Sequence, residues 1–531
     1  MIMSNIPTSN IITSPLTLIS LSRPADPDRS NTPPMRNLSK SKIIAYRQCP
    51  KRLWLEIHKP ELRDDSASEV VFAIGNQVGD IAQDIYNTDD TGVLIDINEI
   101  GWPEAFAQSE KLLKAGDSII FEAAMQANGA LALADVMIPD ANGKDDLQWQ
   151  MIEVKSSTSV KDYHRDDVAV QSYIATSTGV KLSSVSLAHV DNTFVYQGDG
   201  NYRGLLTEAD LTDEAMSRHD EVKQWLTDAQ KVAASDTEPD ICTGSHCSSP
   251  FDCPFIDHCR SQEPQPDFSF SCLPRFSAKN KEQLAAEDIT ELRDVPDNML
   301  NAQQTMVKQH TLAGTTYFDA KAATSELSQA TVPGAPHYFL DFETTNSAIP
   351  IWKGTRPYQQ VPFQFSLHTL QTDGTLDQDT FLDLSGADPR RGFAEALIKL
   401  CGNTGPIFVY NAGFEKGVIR KQAEAFPDLN DELEAIIDRI VDLLPIARNY
   451  YYHPSQQGSW SIKAVLPAVC PDLTYSDLDG VQDGNMAVKA YQEAISPDSS
   501  PERKAEIQDQ LDKYCALDTL AMVRMWQYFM G

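Results

Sequence analysis

Two pairs of residues, each spaced two apart on an apolar run, are the first candidates for chemistry. In MIEVKSS (151–157) Glu153 and Lys155 fall on one face of a strand, because strand residues i and i+2 share a face. In YFLDFETT (338–345) Asp341 and Glu343 do the same on an otherwise apolar stretch, which calls for a cation or a solvent-filled cleft. Asp135, in ALALADVMI, lies on the run before Glu153 and can stand beside it. Paired carboxylates hold a divalent ion through oxygen, and an adjacent lysine can orient water and stabilise charge on a phosphate. An ordinary cross-strand ion pair is the competing reading of Glu153 and Lys155. Further on, Glu415 enters a helix just past a strand end in VYNAGFEKGVI. Tyr514 and Asp518 sit at i and i+4 in YCALDTLAM, on one helix face. Asp442 and Lys463 are candidates to line the same cleft, and Glu122 is a candidate to support the first acids.

Cysteines form a third group. Cys49 lies in RQCPKRLWL; Cys242, Cys247, Cys253 and Cys259 lie in ICTGSHCSSPFDCPFIDHC, the last three with five residues between neighbours. One cysteine alone reads as a buried apolar side chain. Four within eighteen residues of a polar stretch suit a metal centre, and the spacing is wider than zinc sites usually show. Cys272, Cys401, Cys470 and Cys515 read as structural.

Elements must carry these residues. Residues 1–36 are rich in Ser, Thr, Asn and Pro and read as a disordered tail. The runs 118–125, 130–138 and 148–157, with Asn128-Gly129 and Asn142-Gly143 between them, predict a three-stranded meander. A helix at about 163–177 and a strand at 184–190 follow. Residues 234–280 are loop-like, 280–330 helical and polar. From 337 a second α/β block reads strand, strand, strand, helix, strand, helix, the order of a ribonuclease-H-like sheet.

The first block resembles the RecB-type PD-(D/E)xK nucleases, in their iron–sulfur branch found in CRISPR adaptation and helicase–nuclease repair complexes. Asp135 falls at that family's motif aspartate, Glu153 and Lys155 at its (D/E)xK pair, and Gln171 in VAVQSYI at its helical glutamine; Tyr173 is out of step with its tyrosine. The early GxxxH motif appears as Gly75–Gly79 (GNQVG), with glycine in place of histidine, which leaves that metal site one ligand short. The resemblance implies a restriction-endonuclease-like domain over 37–262. It also implies a 4Fe–4S cluster on Cys49, Cys247, Cys253 and Cys259, with Cys242 spare and Arg47, Lys51 and Arg52 brought to the DNA path. The second block resembles the DEDD exonucleases of the YxxxD subclass, through DFET, NAGFE and YCALD. That implies a ribonuclease-H-like domain over 336–531, joined by a helical connector at 263–335. There Asp341, Glu343 and Asp518 would bind two Mg²⁺ or Mn²⁺ ions, Glu415 would be the fourth carboxylate, and Tyr514 would position the attacking water. The whole chain resembles a bacterial family of uncharacterised activity that joins the two.

Composition limits these readings. The chain has 531 residues and a formal net charge of −32, so it is no passive nucleic-acid coat, although local basic patches or bound metals remain compatible with that ligand. The stretch 36–59 reverses the trend, with seven Lys/Arg and one acid. No 18-residue apolar run occurs, which argues against membrane insertion, and the first basic residue is Arg23, which argues against a secretory leader; a cytoplasmic location is expected. The expected function is a metal-dependent nuclease, on DNA rather than RNA, in repair or defence. RNA processing by the same chemistry is one alternative, and a non-catalytic nucleic-acid-binding protein with vestigial sites is another.

Overall fold

The computed structural model describes residues 36–64, 68–88, 90–141 and 147–531, so the expected tail (apart from Arg36) and the Asn142-Gly143 turn lie outside the described residues. The fold is mixed α/β. The first sheet contains β1 (Leu38–Ser39), β2 (Val93–Leu94), β3 (Ile120–Ala127), β4 (Ala130–Ala141), β5 (Leu147–Lys155), β6 (Leu182–Val190) and β7 (Leu206–Asp210). Its order is β2-β3-β4-β5-β6-β7, with β1 pairing β4. The β3–β4–β5 meander is antiparallel, and β6 returns parallel to β5 through the helix Asp162–Ser177. The first turn uses left-handed backbone at Asn128 and Gly129, as an Asn-Gly hairpin requires. β1 pairs in parallel with the start of β4, opposite β3, and so delivers the next residue, Lys40, to the face beside β5.

β8 (Tyr317–Phe318) precedes the second large sheet, which is built from β9 (His337–Thr345), β10 (Val361–Leu370), β11 (Leu376–Leu382), β12 (Ile407–Val409) and β13 (Ile440–Asp442); β14 (Tyr451–Tyr452) pairs back with β8. The order is β11-β10-β9-β12-β13. β9, β10 and β11 are antiparallel neighbours, whereas β12 runs parallel to β9 and β13 to β12. Strand order therefore reverses between β9 and β12, the kind of switch point where open α/β sheets leave a crevice. Leu340 and Phe342 pack against the helices Arg390–Cys401 and Ala412–Ala425 on one face. Phe339 lies on the other face, in the core shared with the C-terminal helix Pro501–Met530. That core also takes in Leu273, Phe276, Leu292 and Val307, so the segment expected as a connector is folded against the second sheet.

The two sheets meet through residues 346–358. Ala348 and Ile349 pack on Val78, Val190 and Leu205, the Tyr358 hydroxyl donates to the Ser156 carbonyl, and Gly354 N donates to Tyr196 O at 2.8 Å. This segment leaves the strand that carries Asp341 and ends against the residue after Lys155.

Candidate functional site

Asp341, Glu343 and Asp518 each offer an oxygen within 4.8 Å of the others. β9 places the first two on the face turned to the C-terminal helix, and that helix supplies the third. Its rotation is fixed one residue on: the Thr519 hydroxyl bonds Ser366 Oγ and His368 Nδ1, both at 2.8 Å, across β10. Gly484 lies close enough that a Cβ there would stand 3.9 Å from Glu343.

Burial and mutual repulsion leave this cluster short of positive charge. Burial, then Asp518, pushes the Glu343 carboxyl up to about 8. Burial, then Asp518, Glu343 and Glu415, holds Asp341 well above the carboxylate range. Burial raises Asp518 to about 6, against the opposing pull of the Tyr475 hydroxyl, which donates to Asp518 Oδ1 at 2.5 Å. Glu415 is 2% exposed, its Oε2 has no hydrogen-bond partner, and burial lifts it to about 8; it is not one of the three converging residues, but its charge acts on Asp341. Such a set could bind a divalent cation.

Tyr514 is buried on the same helix face, next to Asp518. Lys463 Nζ stands 4.9 Å over the Tyr475 ring and 5.3 Å over that of Tyr514. Asp442 does different work: it accepts from the backbone N–H of Asn411, Ala412 and Leu444, fixing the turn that leads to Glu415. Tyr475 was not visible in the sequence, since it reaches Asp518 from a loop 43 residues away.

The first group is built otherwise. Continuing the β3–β4 and β4–β5 registers by one step sets Glu122, Asp135 and Glu153 side by side across three strands. Glu153 is 1% exposed and already saturated. Lys40 Nζ (2.7 Å) and Lys155 Nζ (2.5 Å) both reach its Oε1, and Gln171 donates to Oε2. Burial opposes the Glu153 charge, yet the two ammonium groups hold its carboxyl below the usual range. Lys155 also pairs with Asp167 at 2.7 Å, while Asp135 accepts from Val154 N at 2.7 Å. Lys40 and Asp167 were missed in the sequence. Asp167 had a signal, four residues before Gln171 on one helix face; Lys40 lies in the basic run 36–59, with nothing local that marks it as a partner of Glu153.

Cys49, Cys242, Cys247, Cys253 and Cys259 line one small cavity; Cys242 is exposed and the other four are buried. Burial, then Lys51 and the neighbouring thiols, sets the Cys259 thiol, with a net rise to about 11. Each basic residue expected on the DNA path has an acidic neighbour. Arg47 meets Asp166 at 3.3 Å and lies over Trp225, Lys51 is buried against Glu238 and Gln262, and Arg52 meets Glu56 at 3.1 Å.

Residues 338–461 match a family described as a domain of unknown function, DUF2779. No curated protein matches the chain. Among solved structures, the family B DNA polymerase of the hyperthermophilic archaeon Pyrobaculum calidifontis is 15% identical with a TM-score of 0.26; the match takes in 37% of this chain and 25% of the polymerase. SSO0001 is 16% identical with a TM-score of 0.23, over 44% of this chain and 90% of that one. Among the described residues no helix is long and apolar enough to cross a membrane.

Proposed function

We propose that the chain is a metal-dependent nuclease that removes nucleotides from a 3′ end, DNA before RNA, at Asp341, Glu343 and Asp518. The observation that carries this reading is the convergence of those three carboxylates from a strand and a distant helix. The orphaned Glu415 Oε2, whose charge acts on Asp341, supports a donor set suited to cations. Divalent ions held there would generate the attacking hydroxide from water and stabilise the leaving oxygen. Tyr514 orients the attacking water through its hydroxyl. Tyr475 fixes one oxygen of Asp518, and Lys463 brings positive charge to the rim.

In this reading 336–531 is the ribonuclease-H-like unit, with 263–335 packed onto it, and 37–262 is the PD-(D/E)xK-like unit. At Glu153 the residues do not fit a divalent ion, because Lys40, Lys155 and Gln171 take both carboxylate oxygens; no metal-dependent step is assigned to it. Four buried thiols around one cavity fit a thiolate-held group, and Cys49, Cys247, Cys253 and Cys259 would hold a 4Fe–4S cluster that ties the start of the unit to its end. The test is end-labelled single- and double-stranded DNA and RNA, incubated with Mg²⁺, Mn²⁺ or chelator and the anaerobically purified protein. Shortening of 3′ ends that needs metal is expected; no metal-dependent cleavage of any of the four substrates overturns the proposal.

A further inference from the structure

Beside the acid cluster lies a cavity of about 470 Å³ that the nuclease chemistry does not use. Its walls include Arg275, Gln303, Tyr410, Asn411, Arg448 and Trp460. Tyr410 and Asn411 follow directly on β12 and Leu444 lies just past β13, while Ile462 on the cavity wall precedes Lys463, whose Nζ stands over the Tyr475 and Tyr514 rings beside Asp518. The cavity therefore opens at the carboxyl ends of the parallel strands, at the switch point that holds the acids.

Its construction is specific. Arg275 has left-handed backbone (φ 50°), a conformation that persists in a non-glycine residue only when its surroundings impose it. Here Gln304 Nε2 donates to the preceding Pro274 carbonyl at 2.9 Å. Gly458 also passes so close to Cys272 that a Cβ would overlap the Cys272 carbonyl. On the opposite wall the Tyr410 hydroxyl donates to Trp460 O at 2.6 Å, and Trp460 Nε1 donates to Tyr451 O at 2.7 Å. Among the described residues neither the Arg275 nor the Arg448 guanidinium has a carboxylate partner or donates a hydrogen bond. Two uncommitted guanidiniums in one cavity of a chain with net charge −32 are a local reversal of sign. Guanidinium forks match phosphate geometry, and a cavity of this size admits one nucleotide but not a duplex.

Resting on the nuclease reading above, the geometry points to a subsite for a phosphate of single-stranded nucleic acid, which holds the strand whose end lies in the acid cluster. The segment 263–335 is then part of the substrate site, since it supplies Arg275 and Gln303.

The test is fluorescence anisotropy of a labelled 12-nucleotide single strand with the full chain in chelator, so that nothing is cut. Arg275→Ala plus Arg448→Ala is compared with wild type, with Arg275→Glu alone, and with Arg420→Ala on an exposed surface elsewhere. Neither arginine is half of an ion pair, so their removal leaves no buried charge unpaired, and thermal melts check folding. At least tenfold weaker binding is expected in the double variant. The slope of log K against log salt should fall by roughly 0.7 for each phosphate no longer neutralised. Equal affinity and slope in wild type and double variant overturn the subsite, as does an equal weakening in Arg420→Ala. A nucleoside monophosphate binding wild type as tightly as the strand would overturn the assignment to a strand. Wild type that binds no strand at all would instead count against the nuclease reading.

Discussion

Asp518 is met by two tyrosines with unequal tasks, and substitution separates them. Asp518→Asn keeps the shape and the Tyr475 hydrogen bond but removes a charge that the cluster needs for a cation. Single-turnover 3′ cleavage at saturating Mn²⁺ should drop at least ~10²-fold, while strand binding in chelator persists. Tyr514→Phe removes the hydroxyl proposed to orient water and leaves the carboxylates in place, so it should cost less, on the order of tenfold. Equal rates in all three proteins would mean that the carboxylates do no chemistry. Tyr475→Phe removes a hydrogen bond that favours the charged form of Asp518, whose carboxyl already stands near 6. Its Mn²⁺ affinity should fall at pH 6 and recover by pH 8, as titration calorimetry would show. A pH-independent loss would assign Tyr475 to packing alone.

Among elements, the start of the chain does more than cover the first sheet. β1 sets Lys40 on Glu153, and the helices Lys40–Gln48 and Pro50–His58 lead from Lys40 through Cys49 to the cysteine cavity. Lys40→Met removes one of two cations from a fully buried carboxylate. Orphaning a buried charge costs about 3–5 kcal/mol, and Lys155 and Gln171 remain, so urea unfolding should show a smaller loss than that. A loss of full size would mean that Lys155 does not compensate. In the cysteine loops, Cys253→Ala should strip iron and acid-labile sulfide from anaerobically prepared protein and destabilise the first sheet, whereas Cys242→Ala, at an exposed position, should keep both. Stoichiometric zinc without iron would replace the cluster with a structural zinc site.

At the scale of the molecule the acid cluster makes stability depend on pH and on cations together. Folded Asp341, Glu343 and Glu415 have carboxyls raised above their unfolded values, so between about pH 4.5 and 8 the native state binds more protons than the unfolded one. Stability of the metal-free protein should therefore fall as pH rises through that window, the opposite of an ion-paired carboxylate. Melts in chelator should show a lower Tm at pH 8 than at pH 6, and Mn²⁺ should raise Tm more at pH 8. A Tm that rises with pH in chelator would refute this. Residues 346–358 join the two sheets, yet the two acid groups face separate cores. Asp341→Asn should abolish 3′ cleavage, while Glu153→Gln should leave it within a few-fold and show its effect in unfolding. Complete loss of cleavage in a folded Glu153→Gln protein would mean that the sites act as one.

Local pattern was enough to read the strands around Asp135, Glu153, Asp341 and Glu343, the hairpin at Asn128-Gly129, and the shared helix face of Tyr514 and Asp518. Each depends on a period of two or 3.6 residues or on the chemistry of one turn. The grouping of four cysteines was legible too, because types and spacing suffice to suggest a common ligand. What tertiary structure decided was occupancy. Arg47 and Lys51 look free in a basic run, but packing sets Asp166 and Glu238 beside them, whereas the Arg52–Glu56 pair lies within one helix. Glu153 reads as a metal ligand along its strand, and only the fold shows β1 bringing Lys40 to it from 113 residues away. Tyr475 and Arg275 reach their sites through loops with no period to read. Sequence patterns report which face a side chain takes along its own element; which charge waits on that face is settled only when distant elements pack.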